Sequence, residues 1–340
     1  MKILPLLITS VMALSSVAYA DKAVANLVRR AQQRDVSAMR TLGIRMYKGG
    51  SPGIPTDRKV ALTWLNMAAD QKDEAALCFL GDIYAKGFHV SKNEKKAAEY
   101  YMEAARLGNS KAAEALDKIP VKYAEEWHVR NAEKGNFSSA MKLGMYYSDG
   151  EETPKDTERA QRFFKRAIRA NRDKAVSKME KKDMADAVEF WTVLADDFDD
   201  VGAALRLADA YNSGIGVSVD KKKSLRYYMI ADDAGDETAR EMLKSFPLED
   251  TLEWWEKHAR NGDADAALRL GKAYSTGQDG LRQSPDQALR YLRMAAERGN
   301  DEAGSLLKEM ETTSVPQTPR DAFDAGNVDD DFENDEEDED

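Results

Sequence analysis

The pattern Leu-Gly-x-x-Tyr returns along the chain as LGDIY (80–84), LGMYY (143–147), LADAY (207–211) and LGKAY (270–274), with a stretched form, LGIRMY, at 42–47. The tyrosines of these copies, Tyr47, Tyr84, Tyr147, Tyr211 and Tyr274, lie 37, 63, 64 and 63 residues apart. A repeat of this length constrains the fold more than any composition figure does. One unit is too small to bury its own apolar face, so successive units must stack and bury it against each other. Trp64, Trp127, Trp191 and Trp254 stand twenty residues before the last four tyrosines, and Leu27 holds that offset before Tyr47. Trp255 is the one tryptophan outside the spacing rule.

Within a unit, Ala-x-x-x-Leu-Gly-x-x-Tyr places its alanine, leucine and tyrosine on one face of a helix. Gly50, Gly87, Gly150, Gly214 and Gly277 follow the tyrosines by three residues, where a helix end needs positive φ. Asp57, Asn93, Asp156, Asp220 and Ser284, the last with Pro285 behind it, mark the starts of second helices. Those helices read ALTWLNMAA, AAEYYMEAA, AQRFFKRAI, SLRYYMIAD and ALRYLRMAA, each with an aromatic and most with a late alanine pair. Gly108, Gly235 and Gly299 end three of them, each followed by Asn or Asp to cap the next helix. Between full units lie shortened ones that keep a tryptophan helix but truncate its partner, with Pro120 and Pro247 breaking two of them. The predicted fold is all-α, a right-handed α-solenoid of stacked antiparallel helical hairpins, long and short ones alternating.

The unit Ala-x-x-x-Leu-Gly-x-x-Tyr-x-x-Gly, the loop type GIGVSVDKKKS and the second helix KAAEYYMEAARLGN together resemble the Sel-one-like repeat (SLR), a tetratricopeptide-like α-solenoid. The resemblance covers roughly residues 25–310 and is strongest at 74–109, 203–236 and 266–300. It implies an exported bacterial scaffold that binds a protein partner through the concave face lined by first helices, in envelope assembly or regulation. A second reading comes from cysteine-rich relatives linked to β-lactam binding, a cell-wall-directed hydrolase. Their paired cysteines are absent here.

The ends of the chain differ in kind from the repeats. Residues 1–20 combine Lys2, an apolar run and Ala18-Tyr19-Ala20, which reads as a signal peptide cut after Ala20 and a periplasmic or secreted location. Residues 21–311 form the expected repeat domain, with no membrane segment in the mature form. An oxidising compartment with a single cysteine, Cys78, excludes an internal disulfide, so packing alone must stabilise the fold. Residues 312–340 read as a disordered linker and acidic tail. The stretch 321–340 holds 12 acids and no base, and it accounts for the net charge of −11 because residues 21–320 balance at 49 of each sign. Nucleic acid is excluded as a partner by that balance. The sequon NFSS at Asn136 leaves a eukaryotic secretory adaptor as a third reading.

Candidate chemistry is sparse. The periodic tryptophans are expected to pack helix on helix rather than bind, with Trp255 open between the two roles. His89, His128 and His258 share no repeat position and form no metal-binding pair. The glycines at 214–216 lack the strand and Gly-Lys-Ser/Thr ending of a phosphate loop. Ser139-Ala-Met-Lys142 matches Ser-x-x-Lys, without the companion motifs of penicillin-interacting enzymes. No catalytic residue, cofactor or metal is expected. What remains is a surface that varies from copy to copy on the first helices. Phe79, Lys142, Arg206 and Arg269 share one position there, Asp82, Met145, Asp209 and Lys272 another, and together they form the predicted partner-binding groove. Lys142, Arg206 and Arg269 are a candidate basic column for an acidic peptide, with the chain's own acidic tail as an intramolecular ligand.

Overall fold

The computed structural model describes residues 22–313, eighteen helices and no strand among them. The predicted signal peptide and acidic stretch lie outside the described residues. Helix follows helix: the two helices of each long unit pack closely on each other as a hairpin, whereas those of each short unit pack mainly on the neighbouring long helices. After α1 (Lys22–Gln32) come two long hairpins, α2 (Val36–Lys48) with α3 (Arg58–Asp70) and α4 (Glu74–Lys86) with α5 (Glu94–Arg106). A short hairpin, α6 (Ser110–Leu116) with α7 (Val121–Glu133), begins the alternation. Long α8 (Phe137–Asp149) with α9 (Thr157–Ala170), short α10 (Arg172–Met179) with α11 (Met184–Phe198), and long α12 (Val201–Ser213) with α13 (Lys221–Asp233) complete a compact unit that ends at Ala234. A second compact unit starts at Gly235. It holds short α14 (Glu237–Ser245) with α15 (Leu248–Arg260), long α16 (Ala264–Thr276) with α17 (Pro285–Ala296), and α18 (Asp301–Thr313).

Local chemistry sets the hairpin ends. The side chains of Asp57, Asn93, Asp156, Asp220 and Ser284 each accept a backbone N–H in the first turn of the helix they open, as the sequence predicts. Their own N–H groups reach back across the loop. Those of Asn93, Asp156, Asp220 and Ser284 each donate to the carbonyl of the repeat tyrosine at 2.9 Å, satisfying an orphan carbonyl of the first helix. Gly87, Gly150, Gly214 and Gly277 occupy left-handed conformations at the first-helix C-termini.

The first copy corrects the sequence reading. Met46, not Tyr47, stands eleven residues after its N-cap, Asp35, as Tyr84 does after Asp73. LGIRMY therefore contains no extra residue. Tyr47 is one position further round the helix, and the capping glycine is Gly49 at φ 74 rather than Gly50.

Packing follows a single register through all eight second helices. The eighth residue after the N-cap is Leu65, Tyr101, His128, Phe164, Trp191, Tyr228, Trp255 and Leu292 in turn, none more than 4% exposed. The glycine of Leu-Gly exists to let this residue in. A Cβ on Gly43, Gly81, Gly144 or Gly271 would stand 2.8, 2.6, 2.5 or 2.7 Å from Leu65, Tyr101, Phe164 or Leu292, closer than side chains tolerate. Trp255, ambiguous in sequence, is thus core. Trp191 belongs with Trp255 and His128, not with Trp127 and Trp254, despite its twenty-residue offset from Tyr211. The turn after α11 explains the slip. Asp199 adopts a left-handed conformation (φ 51) and adds one residue, so Asp200 N–H reaches Leu194 six residues back, whereas Asp73, Asn136 and Asp263 reach five back. Trp64 and Trp254 are buried as well, but Trp127 is only half-buried against the core of the first unit. Cys78 is a buried thiol.

Candidate functional site

On the rim of each long hairpin an aromatic from the first helix lies flat on one from the second. Tyr84 stacks on Tyr100 at 5.8 Å, Tyr147 on Phe163 at 5.9 Å, Tyr211 on Tyr227 at 6.1 Å and Tyr274 on Tyr291 at 5.8 Å. A cation covers the first three, Lys96, Arg159 and Lys223 lying 4.2 to 5.3 Å from the tyrosine ring centres. These are repeated structural braces. Where one is missing, in the first copy with Met46, the rim opens into a pocket.

That pocket, about 360 Å³, lies between α2, α4 and the turn after Gly87. Tyr47 meets Phe79 edge to face at 6.0 Å and 89°, and its hydroxyl donates to the carbonyl of Phe88. Burial pushes the Tyr47 phenol up, so it remains a donor. The turn is held by His89 in a left-handed conformation (φ 56), and it presents Phe88 at 59% exposure beside the opening. Lys48, Arg58 and Lys86 supply positive charge around these rings, Lys48 Nζ standing 5.6 Å from the Phe79 centre. Arg58 Nε is buried without a hydrogen-bond partner. Asp82, the acid in the lining, accepts the Tyr101 hydroxyl at 2.7 Å, and burial followed by that carboxylate raises the Tyr101 phenol. The arrangement suits an apolar or aromatic side chain with an acidic neighbour: apolar walls take the ring and the cations take the charge.

Of the eight predicted groove residues, Phe79 and Asp82 meet in this pocket. Asp209 takes its counterpart's structural duty, accepting Tyr228 Oη at 2.5 Å. Met145 is half-buried on α8. The three basic residues each serve the end of the preceding short helix. Lys142 donates to the Asp117 carbonyl and carboxylate, Arg206 to Glu180 at 3.2 Å, and Arg269 to the Lys244 carbonyl at 3.2 Å. Cations there answer the negative end of the helix dipole. Arg206 and Arg269 also lie over Trp191 and Trp255 at 4.9 and 4.4 Å, while Lys272 pairs with Glu302 at 2.6 Å. Sequence reasoning missed Tyr47, Arg58 and Phe88, although the departure of LGIRMY from the repeat was the signal for them.

Ser139 and Lys142 do not form an exposed reactive pair. Ser139 is 3% exposed and its hydroxyl lies 3.2 Å from His128 Nδ1, inside the helix stack. Desolvation, then the charge of Lys142, pushes the His128 imidazole down to about 4, so it is neutral at pH 7. Among the described residues, no group of three or more His, Cys, Asp or Glu side chains is placed to hold a metal ion. None of the helices described is long and apolar enough to cross a membrane.

Comparison with known proteins agrees with this architecture. Five stretches match the Sel1 repeat, residues 36–73, 74–109, 138–171, 201–236 and 264–300, more than half of the chain. A chitin synthase regulator of Saccharomyces cerevisiae is 32% identical in an alignment of 174 residues that covers 45% of this chain and 25% of that protein, so the chain spans about a quarter of its relative's length. A crystal structure of a Sel1 repeat protein from Oxalobacter formigenes matches with 22% identity, over 87% of this chain and 93% of that one, at a TM-score of 0.35. A protective antigen of uropathogenic Escherichia coli displaying an SLR fold matches with 23% identity, over 85% and 67% of the two chains, at a TM-score of 0.30. The repeat matches coincide with the five long hairpins, and the chain belongs to the Sel1 repeat family.

Proposed function

We propose that this repeat scaffold binds a protein partner through the pocket of Tyr47, Phe79 and Phe88, which receives an apolar or aromatic side chain flanked by a carboxylate. The observation that carries the reading is Phe88, a large apolar side chain left 59% exposed next to a preformed aromatic recess with three cations. An exposed ring that continues into an apolar recess makes a contiguous patch, and such patches mark interaction sites where a lone exposed side chain does not. The fold supports this role, because repeated hairpins hold the pocket walls on rigid helices. The similarity of part of the chain to a chitin synthase regulator supports a role in regulating another protein. The partner's place in envelope assembly, and export of the chain through cleavage after Ala20, belong to the same proposal. N-terminal sequencing of the protein recovered from outside the cytoplasm should begin at Asp21.

The test is capture from the native envelope with the wild type and with Phe79→Ala/Phe88→Ala, two changes on half-buried or exposed rings. A partner retained by the wild type should be lost or bound at least tenfold more weakly by the double variant. Equal retention by both would remove the pocket from the interaction.

A further inference from the structure

The second helix α9 departs from its counterparts in charge. Six, nine, ten and thirteen residues after its N-cap Asp156 it carries Arg162, Lys165, Arg166 and Arg169. At those places α5 has Glu99, Met102, Glu103 and Arg106, and α13 has Arg226, Met229, Ile230 and Asp233. A merely solvated outer face is served by either mixture. On α9 the four cations border a surface groove of about 650 Å³ that also touches Glu133, Glu158 and Asp197. Those acids neutralise two of the four cations and leave Arg166 and Arg169. Lys165 is paired with Asp197, and Arg162 lies 3.8 Å from Glu133 at 58% side-chain exposure. Arg166 and Arg169 have no carboxylate within ion-pair distance among the described residues. By contrast, the groups that sequence had offered as a basic column, Lys142, Arg206 and Arg269, are occupied at helix ends.

We infer that the α9 groove is a docking surface for a run of carboxylates, and that its occupant is the acidic stretch 321–340 of a second copy of this chain. Charge complementarity carries the choice. That stretch offers 12 acids without a base, and α9 presents Arg166 and Arg169 one turn apart with no carboxylate partner among the described residues. Guanidinium groups at successive turns of one helix, about 5.4 Å apart, match carboxylates spaced along an extended peptide. The site is separate from the Phe79 pocket, and its failure would leave that proposal standing.

The test uses the full chain with every Asp and Glu of 321–340 changed to Asn and Gln, titrated at low salt with a labelled synthetic peptide of the natural 321–340 sequence. Binding is expected, with affinity falling as salt rises. Arg162→Gln/Arg166→Gln/Arg169→Gln in the same chain should weaken it at least tenfold, and Lys142→Gln/Arg206→Gln should leave it within twofold. Sedimentation velocity of the unaltered chain should show weak self-association that the triple arginine variant loses. No peptide binding, equal binding to the triple variant, or loss in the Lys142/Arg206 variant overturns the inference. So does binding of phosphatidylglycerol vesicles in place of the peptide, which would assign the stripe to a lipid surface. Absent self-association also overturns it.

Discussion

Replacing Trp191 and Trp127 with alanine separates the register seen in the structure from the one suggested by spacing. By spacing the two are equivalent. In the structure Trp191 is 4% exposed, meets Phe190 edge to face at 5.1 Å, and lies under the Arg206 guanidinium at 4.9 Å. An indole buries on the order of 200 Å². At about 25 cal/mol per Å², less the part an alanine still buries, its removal costs roughly 4 kcal/mol, within the usual ~3–5 for a buried Trp→Ala change. The lost cation–π contact adds about 0.5 kcal/mol. Trp127 is half-buried, so Trp127→Ala should cost about half as much, roughly 2 kcal/mol. Urea unfolding followed by far-ultraviolet circular dichroism measures both. Because the chain has two compact units, hydrogen exchange over 184–198 and 121–133 should accompany it to assign the transition. Equal losses for the two variants, or a larger one for Trp127→Ala, would refute the register argument.

Two further outcomes follow from the same packing. His128 is fully buried at the place that other second helices give to an apolar side chain or a tyrosine, and its imidazole is pushed down to about 4 by desolvation and Lys142, against a smaller upward pull from Asp117. A histidine whose folded value lies below its unfolded value of about 6.5 stabilises the fold fully above that pH and ceases to do so as pH falls toward 4, a swing of about 3 kcal/mol. Urea midpoints at pH 7 and 4.5 should therefore converge in His128→Leu relative to the wild type, and an identical pH dependence in the two proteins would contradict this. Gly144→Ala should cost about 1–3 kcal/mol despite alanine's better helix propensity, since the new Cβ meets the Phe164 ring at 2.5 Å and that ring is locked against Phe190. Gly304→Ala, with nothing within 4 Å, should raise stability instead, and thermal melts compare the pair.

Caps and periodicity are local, and the residues that carry them could be identified in the sequence. Asp57, Asn93, Asp156, Asp220 and Ser284 open their helices because a short polar side chain satisfies the first-turn N–H groups of its own chain neighbours. Gly87, Gly150, Gly214 and Gly277 close theirs for an equally local reason, a positive φ. The Phe79 and Asp82 walls of the pocket were legible as variable first-helix positions. Its Phe88 lip was not, since Phe88 lies in the interhelix turn, where helical spacing assigns no face, and is placed by the Tyr47 hydroxyl, a contact across hairpins.

The amino-acid sequence determined by itself that the chain is a set of helical hairpins with a common period, because hydrophobic spacing and turn chemistry act within a few residues. Tertiary structure alone decided which ring of each second helix goes inward, and one left-handed residue, Asp199, is why spacing misplaced Trp191. It also decided which cations are spent and which are free. Lys142, Arg206 and Arg269 find acceptors at the end of a neighbouring helix, whereas Arg166 and Arg169 find no carboxylate among the described residues. Such pairings depend on distances between chain segments far apart in sequence, and no local rule encodes them.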